Sequence, residues 1–340
     1  MGSLKPAIFK TIVNAQNNST FFKKLVAFAA YRSQQAMMAA NGNSEKQKEL
    51  ERVGFLKKSL KHPLKKFLPE DEFQIRQYLE SFHFQNEPVK EMAGYLDHAF
   101  YRFLLTLDLV PPGNGSLLEI GANPYFMSLL LDKYTEYELT YTNHFGEHSQ
   151  LATDIKYTSD GEAKAFSYSK VNLETDDLPY PDHSFDVVLY CEVIEHLYQD
   201  SLITLNRIKR VLKPNGYLIL TTPNVGRLEN VIKMLNGHNI YDPYSGYGVY
   251  GRHNREFTPD ELRTLVTYAG FAIEKLFTSD VTDNHIFDAY PIEKILPALH
   301  KRENNLGEYI FVCARNTGQP SPQLKPRWLY RSYPNNELTD

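Results

Sequence analysis

Residues 117–126 read LLEIGANPYF, and this stretch decides the fold. An apolar run ends on a carboxylate, Glu119, and on Gly121, and a turn built from Asn123 and Pro124 follows. An ordinary buried strand has no need of the carboxylate, whereas a strand that presents a ligand at its carboxyl end does. Gly121 lets the backbone pass close to such a ligand, because no side chain intervenes. The stretch therefore predicts a strand that ends at a ligand-binding loop.

Strand-like and helix-like segments alternate along the chain from residue 116 onward. The strand-like segments include SLLEIG, YELTYTN, FDVVLYC and YLILTTPN, and the helix-like segments include YFMSLLLDKY and LITLNRIKRVLK. Strands that alternate with amphipathic helices pair in parallel and are covered on both faces. The alternation therefore predicts an α/β domain built on a largely parallel sheet.

Charge separates the N-terminal part of the chain from the rest. Residues 1–69 contain 13 lysines and arginines against 3 acidic residues, whereas the remainder contains 24 against 38. Helical patterns continue to about residue 110, so we expect a helical extension over 1–110 that serves as a lid, a dimer interface or a docking surface. The α/β domain is expected over 111–315 with an insertion at 225–257, and an irregular tail over 316–340.

Composition places the chain among ordinary globular proteins. Hydrophobic residues make up 42% of the sequence and charged residues 23%. We find no apolar run near the roughly 18 residues of a membrane span, and the N-terminus lacks the pattern of a signal peptide. Only Cys191 and Cys313 occur, too few for a disulfide framework, so a reducing compartment and a cytoplasmic location are expected.

Three segments in order carry a family resemblance: LLEIGANPYF, LPYPDHSFDVVLYCEVIEHL and LKPNGYLILTTPN. Residues from about 115 to 315 resemble the class I S-adenosylmethionine-dependent methyltransferases, in the type 11/12-like group with an E-x-x-E-H motif. The resemblance implies a Rossmann-like, seven-stranded, mostly parallel sheet with helices on both faces. It also implies S-adenosylmethionine as the cofactor.

The resemblance assigns cofactor roles to individual residues. A carboxylate at the position of Glu119 holds the loop and the amino-acid end of the cofactor. Asn143 stands where the family usually has an acidic residue for the ribose hydroxyls, and Asn123 and Tyr125 replace two glycines of the family pattern. Asn172 aligns with the residue that contacts adenine. The full predicted set is Glu119, Gly121, Ala122, Asn123, Asn143, Asn172, Leu173 and Cys191.

The segment CEVIEHL gathers groups that can bind a metal or move a proton. Glu192, Glu195 and His196 have spacings that would place them on one face of a helix, and His253 is a fourth candidate. The pattern resembles small-RNA 3′-terminal 2′-O-methyltransferases, in which such residues hold a divalent metal, and ubiquinone-pathway O-methyltransferases. Mg²⁺ or Mn²⁺ would suit these ligands. Alternatively, no metal binds, and His196 or His253, with Glu195, takes the acceptor proton.

A Tyr-rich insertion follows the predicted fifth strand, where this family often builds a substrate lid. The candidate substrate residues are Tyr244, Tyr247, Tyr250, Arg252 and Arg255. Aromatic faces with hydroxyl edges suit a sugar or an aromatic ring, and arginines suit a carboxylate or phosphate. A loop that merely packs on its own domain is the competing interpretation.

These observations predict an O-methyltransferase that acts on a hydroxyl of a sugar, a glycan or a similar polyhydroxylated small molecule. One alternative is a metal-dependent 2′-O-methyltransferase of RNA 3′ ends, which the basic N-terminus would suit, although no RNA-binding module is evident. A phenol or quinone precursor is another acceptor, and a cofactor-binding scaffold without activity is a further alternative. A homodimer through the N-terminal helices is also a hypothesis.

Overall fold

The computed structural model describes residues 60–66, 68–84, 89–144, 151–158, 161–246, 248–282 and 295–339. The chain divides into two units, Met1–Lys58 and Ser59–Asp340. The division therefore falls at residue 58, and not at the expected 110. The helical and dimerisation predictions for residues 1–59 lie outside the described residues.

A nine-stranded sheet forms the centre of the second unit. Its strands are β1 (Phe82–Phe84), β2 (Ser116–Ile120), β3 (Glu138–Asn143), β4 (Leu151–Thr158), β5 (Ala163–Lys170), β6 (Phe185–Cys191), β7 (Leu212–Pro223), β8 (Phe271–Ser279) and β9 (Tyr309–Asn316). The spatial order is β1-β4-β5-β3-β2-β6-β7-β9-β8. The five central strands, from β5 to β7, pair in parallel, and β9 runs antiparallel to β7 and β8.

The predicted α/β, Rossmann-like fold is confirmed, but the described residues form a nine-stranded sheet where seven strands were expected. The two additional strands, β4 and β1, extend the edge beside β5 through antiparallel pairs. β4 alternates between more and less exposed positions, as a strand at the side of a sheet does. The sheet is extended because β4 pairs with β5, and the sequence of neither strand by itself shows the register of that pairing.

Helices cover both faces of the sheet. They are α1 (Glu72–Glu80), α2 (Val89–Leu109), α3 (Phe126–Tyr134), α4 (Ser201–Val211), α5 (Leu228–Leu235), α6 (Pro259–Tyr268) and α7 (Leu296–Leu299). Successive strand residues such as Leu117 and Leu118 belong to different hydrophobic clusters, because side chains alternate across a strand. α2 and α3 pack with the first cluster, and α4 and α6 pack with the second.

α2 explains why residues 60–110 belong to the same unit as the sheet. Leu96, Phe100, Phe103 and Leu107 lie at helical spacing, are buried, and form one apolar stripe. This stripe packs in the first hydrophobic cluster with the strands, so a domain boundary at residue 110 would expose it. None of the helices in the described ranges is long and apolar enough to cross a membrane.

The C-terminal segment is fastened to the domain. β10 (Lys325–Pro326) and β11 (Leu338–Thr339) form a small parallel sheet. The ammonium of Lys325 lies 2.6 Å from a carboxylate oxygen of Asp200, the N-cap of α4, and the Tyr330 hydroxyl donates to the same carboxylate. The predicted irregular tail thus contains a fixed segment that reaches the start of α4.

Thr258 caps α6, and its removal should destabilise the protein. Its hydroxyl accepts a hydrogen bond of 3.2 Å from the backbone of Glu261. We expect Thr258→Ala to lower the free energy of unfolding by about 1 kcal/mol in urea denaturation, because a helix-end amide loses its partner. Thr264→Ala within the same helix is the control and should not destabilise, since alanine favours a helix interior. Equal stability of wild type and Thr258→Ala would contradict the capping role.

Candidate active site

The loop after β2 comes too close to its neighbours for any residue but glycine at position 121. Gly121 has a φ of +74°, and its amide donates to the carbonyl of Thr142 over 2.8 Å. A Cβ at this position would lie 2.7 Å from a methyl group of Val193. Because Gly121 has no side chain, the loop leaves an open space at the carboxyl end of β2, called here the glycine cradle.

Asn143 holds this loop in place. Its Oδ1 accepts the amide of Asn123 over 2.9 Å, and its Nδ2 donates to the Tyr125 hydroxyl over 2.8 Å. Tyr125 is fully buried, stacks on Phe166 at 4.3 Å and donates to Asp154. Both polar atoms of Asn143 thus form a hydrogen bond within the fold, and its role in binding ribose hydroxyls stays a prediction. Asn123 and Tyr125 replace loop glycines with a bonded network.

A cavity of about 90 Å³ lies beside the loop. Five of the predicted cofactor residues line it: Glu119, Gly121, Ala122, Asn123 and Cys191. Helix α2 closes the other side. Its lining residues, which the sequence analysis did not identify, are Tyr95, Arg102, Phe103 and Thr106. The sequence feature that could have identified them is a single arginine, Arg102, within the long apolar stretch of α2.

Arg102 forms a buried ion pair with Glu192. Its Nη1 lies 2.6 Å from Glu192 Oε2, and its Nη2 donates to the Tyr95 hydroxyl over 3.0 Å. Thr221 donates to the other Glu192 oxygen over 2.8 Å. Glu192 has a φ of +55° and precedes a three-residue 3₁₀ helix, Ile194–His196. The prediction of one helical face for Glu192, Glu195 and His196 was wrong, because the chain turns before the helix begins.

Glu119 is a buried carboxyl with one donor. Ser128 donates to its Oε2 over 2.5 Å, and burial raises the pKa of Glu119 to about 8. An amino acid has an ammonium and a carboxylate, and both need polar partners. The cavity offers them through the glycine cradle, the carboxyls of Glu119 and Glu192, and the Arg102 guanidinium. These residues therefore fit the amino-acid end of S-adenosylmethionine.

Glu195, His196 and His253 meet at the carboxyl edge of the sheet. One ligand atom from each lies within 4.8 Å of the others. Glu195 is fully buried, and Thr222 donates to its Oε2 over 2.9 Å. No described residue forms a hydrogen bond with Oε1, which lies 3.9 Å from Nε2 of His196. Burial and the neighbouring Glu192 raise the pKa of Glu195.

The two histidines have different partners. Nδ1 of His196 lies 3.1 Å from the carbonyl of Arg252, so this nitrogen donates, and the neutral ring carries its lone pair on Nε2. Burial and the nearby His253 lower the pKa of His196. Burial alone would lower the pKa of His253, but Glu256, 2.9 Å from its Nδ1, raises it. His196 is therefore the more often neutral of the two rings, and so able to accept a proton, whereas His253 is the better holder of positive charge.

A larger pocket of about 700 Å³ opens beside His253. Three parts of the chain form its walls: Leu197–Ser201, the insertion and the C-terminal segment. Its lining includes Tyr198, Gln199, Tyr241, Asp242, His253, Asn254, Arg255, Glu256, Tyr330, Arg331 and Tyr333. Tyrosine faces, amides and both signs of charge thus line this pocket together with His253.

The predicted substrate residues do not all meet in this pocket. Arg255 lines it, whereas Tyr244 is 93% exposed, with the Arg252 guanidinium 4.9 Å from its ring centre. Tyr247 lies outside the described residues. Tyr250 lies against Asn172, one of the predicted cofactor residues. Leu173, the predicted cofactor residue next to Asn172, is buried, and its carbonyl accepts a hydrogen bond of 2.5 Å from Arg207.

Glu119 should make stability depend on pH. Its pKa of about 8 lies above the value of about 4.3 in an unfolded chain, so unfolding releases a proton between these two values. The contribution of the Glu119 carboxyl to the free energy of unfolding is fully present below its unfolded pKa, and it falls as the pH rises towards 8. We expect wild type to lose up to about 1.4 kcal/mol per pH unit relative to Glu119→Gln, measured by urea denaturation from pH 5 to 8. Parallel pH curves for the two proteins would contradict this.

The Arg102–Glu192 pair offers a second test. Arg102→Met should lower the free energy of unfolding by about 3 kcal/mol, because it leaves the Glu192 carboxylate without its partner in a largely buried place. The double variant Arg102→Met, Glu192→Gln should recover part of this loss. Additive effects of the two changes in denaturant unfolding would show that the groups do not interact.

Comparisons with known proteins identify the domain. Residues 118–220 match the family model described as "Methyltransferase domain". A probable S-adenosylmethionine-dependent methyltransferase from Mycolicibacterium smegmatis is 34% identical over 98 residues, which cover 29% of this chain and 33% of that protein. A tRNA N(3)-cytidine methyltransferase from Danio rerio is 35% identical over 109 residues, 30% of this chain and 28% of that protein.

The matches cover a limited part of each relative. The chain spans about a third of the length of the curated relatives that it matches. A methyltransferase of Haloferax volcanii, solved in complex with the activator Trm112, is 14% identical with a TM-score of 0.46, over 72% of this chain and 97% of that one. Residues 118–220, which include the glycine cradle, therefore match a methyltransferase domain of the S-adenosylmethionine-dependent class.

Proposed function

We propose that the protein transfers the methyl group of S-adenosylmethionine to a hydroxyl oxygen of a sugar or glycan. The observation that carries this proposal is the placement of His253, beside His196 and Glu195, on a pocket lined by tyrosines and amides. Exposed aromatic faces and planar polar side chains are the groups that bind carbohydrate rings. The acceptor class is therefore a polyhydroxylated molecule.

The bound cofactor supplies an electrophilic methyl group, and the residues of this chain must position and deprotonate the acceptor. Nε2 of His196 would accept the proton of the acceptor hydroxyl, and the cofactor would supply the methyl group that replaces this proton and leave as S-adenosylhomocysteine. His253, held by Glu256, contributes positive charge near the developing alkoxide. The walls of the pocket orient the hydroxyl, which matters because the geometry of attack strongly affects the rate.

A specific observation supports a metal-assisted version of this reaction. Oε1 of Glu195 is buried, forms no hydrogen bond with any described residue, and lies near both histidine rings. One carboxylate and two imidazoles suit a divalent ion such as Mn²⁺, whose charge would lower the pKa of an acceptor hydroxyl. Glu192 is committed to Arg102, so the predicted four-residue set would contribute three residues.

Two other candidates remain for comparison. The tRNA methyltransferase relative favours a test of RNA acceptors, and the basic N-terminal residues agree with such a test. A protein that binds the cofactor without catalysis would keep the glycine cradle and not need an imidazole nitrogen with a lone pair. The site contains such a nitrogen, at His196, so an active enzyme is favoured.

The first experiment measures cofactor binding and turnover separately. Calorimetry with S-adenosylhomocysteine tests the cofactor site, and release of S-adenosylhomocysteine from S-adenosylmethionine over monosaccharide, glycan and RNA panels tests the reaction. We expect saturable binding, and a kcat for His196→Asn that is lower by about 10² to 10⁴ with unchanged affinity for S-adenosylhomocysteine. His183→Asn is the control, because its ring also contacts a backbone carbonyl, that of Leu212.

The outcomes separate the candidates. Full activity after EDTA treatment would exclude the metal-assisted version, whereas Mn²⁺ or Mg²⁺ binding that Glu195→Gln abolishes would support it. Turnover only with RNA would replace the glycan proposal. Binding without turnover on any panel would favour the inactive protein, and absence of binding would overturn the proposed function.

A further inference from the structure

Tyr250 lies across the ends of two neighbouring strands. His144 follows β3, and its ring centre lies 4.9 Å from that of Tyr250. Asn172 follows β5, and its side-chain amide lies 3.3 Å from the Tyr250 hydroxyl. β3 and β5 pair in parallel, so their carboxyl ends are adjacent. A ring that contacts residues from both ends lies at the carboxyl edge of the sheet, the edge at which ligands bind in this class of fold.

Glu174 fixes the position of this ring. The Tyr250 hydroxyl donates to Glu174 Oε2 over 2.7 Å, and burial together with this contact raises the pKa of Tyr250 to about 12. The hydroxyl therefore keeps its proton at neutral pH and continues to donate. Glu174 itself is only 9% exposed, so the surrounding structure holds its carboxylate in place.

The second oxygen of Glu174 reaches the large pocket. Glu174 Oε1 accepts the backbone amides of Tyr198 and Gln199, over 2.8 Å and 2.6 Å. Both residues line the pocket of about 700 Å³. One carboxylate thus connects a residue of the insertion, at the strand ends, with the wall of the acceptor pocket.

We propose that Tyr250 forms the outer wall of the nucleoside half of the cofactor site and couples it to the acceptor pocket through Glu174. This inference rests on the proposed function. A purine is a flat aromatic group, and the rings of Tyr250 and His144 offer it faces and edges on which to pack. Because coupling between two sites is reciprocal, a bound cofactor also orders the insertion that carries Tyr250.

The test compares the affinity for S-adenosylhomocysteine of wild type, Tyr250→Phe and Tyr250→Ala by calorimetry. Tyr250→Phe removes the bond to Glu174 and should weaken binding about threefold to tenfold. Tyr250→Ala also removes the ring and should weaken binding by more than about tenfold. Tyr137→Phe is the matched control and should bind as wild type does. It removes a similar hydroxyl contact, 3.0 Å to the carbonyl of Pro111, at the opposite end of β3.

Hydrogen exchange provides a readout that a merely structural role would not change. S-adenosylhomocysteine should slow amide exchange in residues 239–257 of wild type, and this protection should be lost in Tyr250→Ala. Unchanged or tighter binding by both Tyr250 variants, or no protection of the insertion in wild type, would overturn the proposal. If wild type itself fails to bind S-adenosylhomocysteine, the proposed function fails first, so the two failures are distinguishable.

Discussion

Parallel pairing of β5, β3, β2, β6 and β7 is the constraint on which the site depends. Each strand delivers its carboxyl end to the same edge, so residues far apart in sequence become neighbours there. Because of this pairing, Asn143 at the end of β3 lies beside the loop that follows β2, and it accepts a hydrogen bond from the amide of Asn123 in that loop. The parallel arrangement also explains why the polar groups of the site stand at strand ends, outside the two apolar clusters.

Burial gives the polar groups at this edge their chemical character. Glu119 and Glu195 are almost inaccessible, and burial raises the pKa of each. Both carboxyls accept a hydroxyl hydrogen bond, from Ser128 and Thr222, which partly replaces lost water. The same burial lowers the pKa of His196, so that an acidic group tends to hold its proton while a neighbouring imidazole tends to lose one. Opposite shifts of this kind suit proton transfer.

Three connections join the parts of the site. Arg102 joins helix α2 to Glu192, Glu174 joins the strand ends to the wall of the pocket of about 700 Å³, and Asp200 joins the C-terminal segment to α4. In each, a carboxylate is bonded to more than one partner. Bonds to charged groups are stronger than neutral ones, so such carboxylates can hold separate segments in fixed relation.

The sequence by itself determined the alternation of strands and helices, the glycine cradle at Gly121 and the grouping of Glu195 with His196. These features depend on local periodicity, on backbone conformation and on residues one or two positions apart. Tertiary structure alone decided that Arg102 pairs with Glu192 and that Asn143 bonds the loop, because each contact joins distant segments. It also decided that β1 and β4 widen the sheet and that the C-terminal segment lines the pocket. Strand register and the packing of helices bring these residues together, and neither can be read from the neighbours of a residue in the chain.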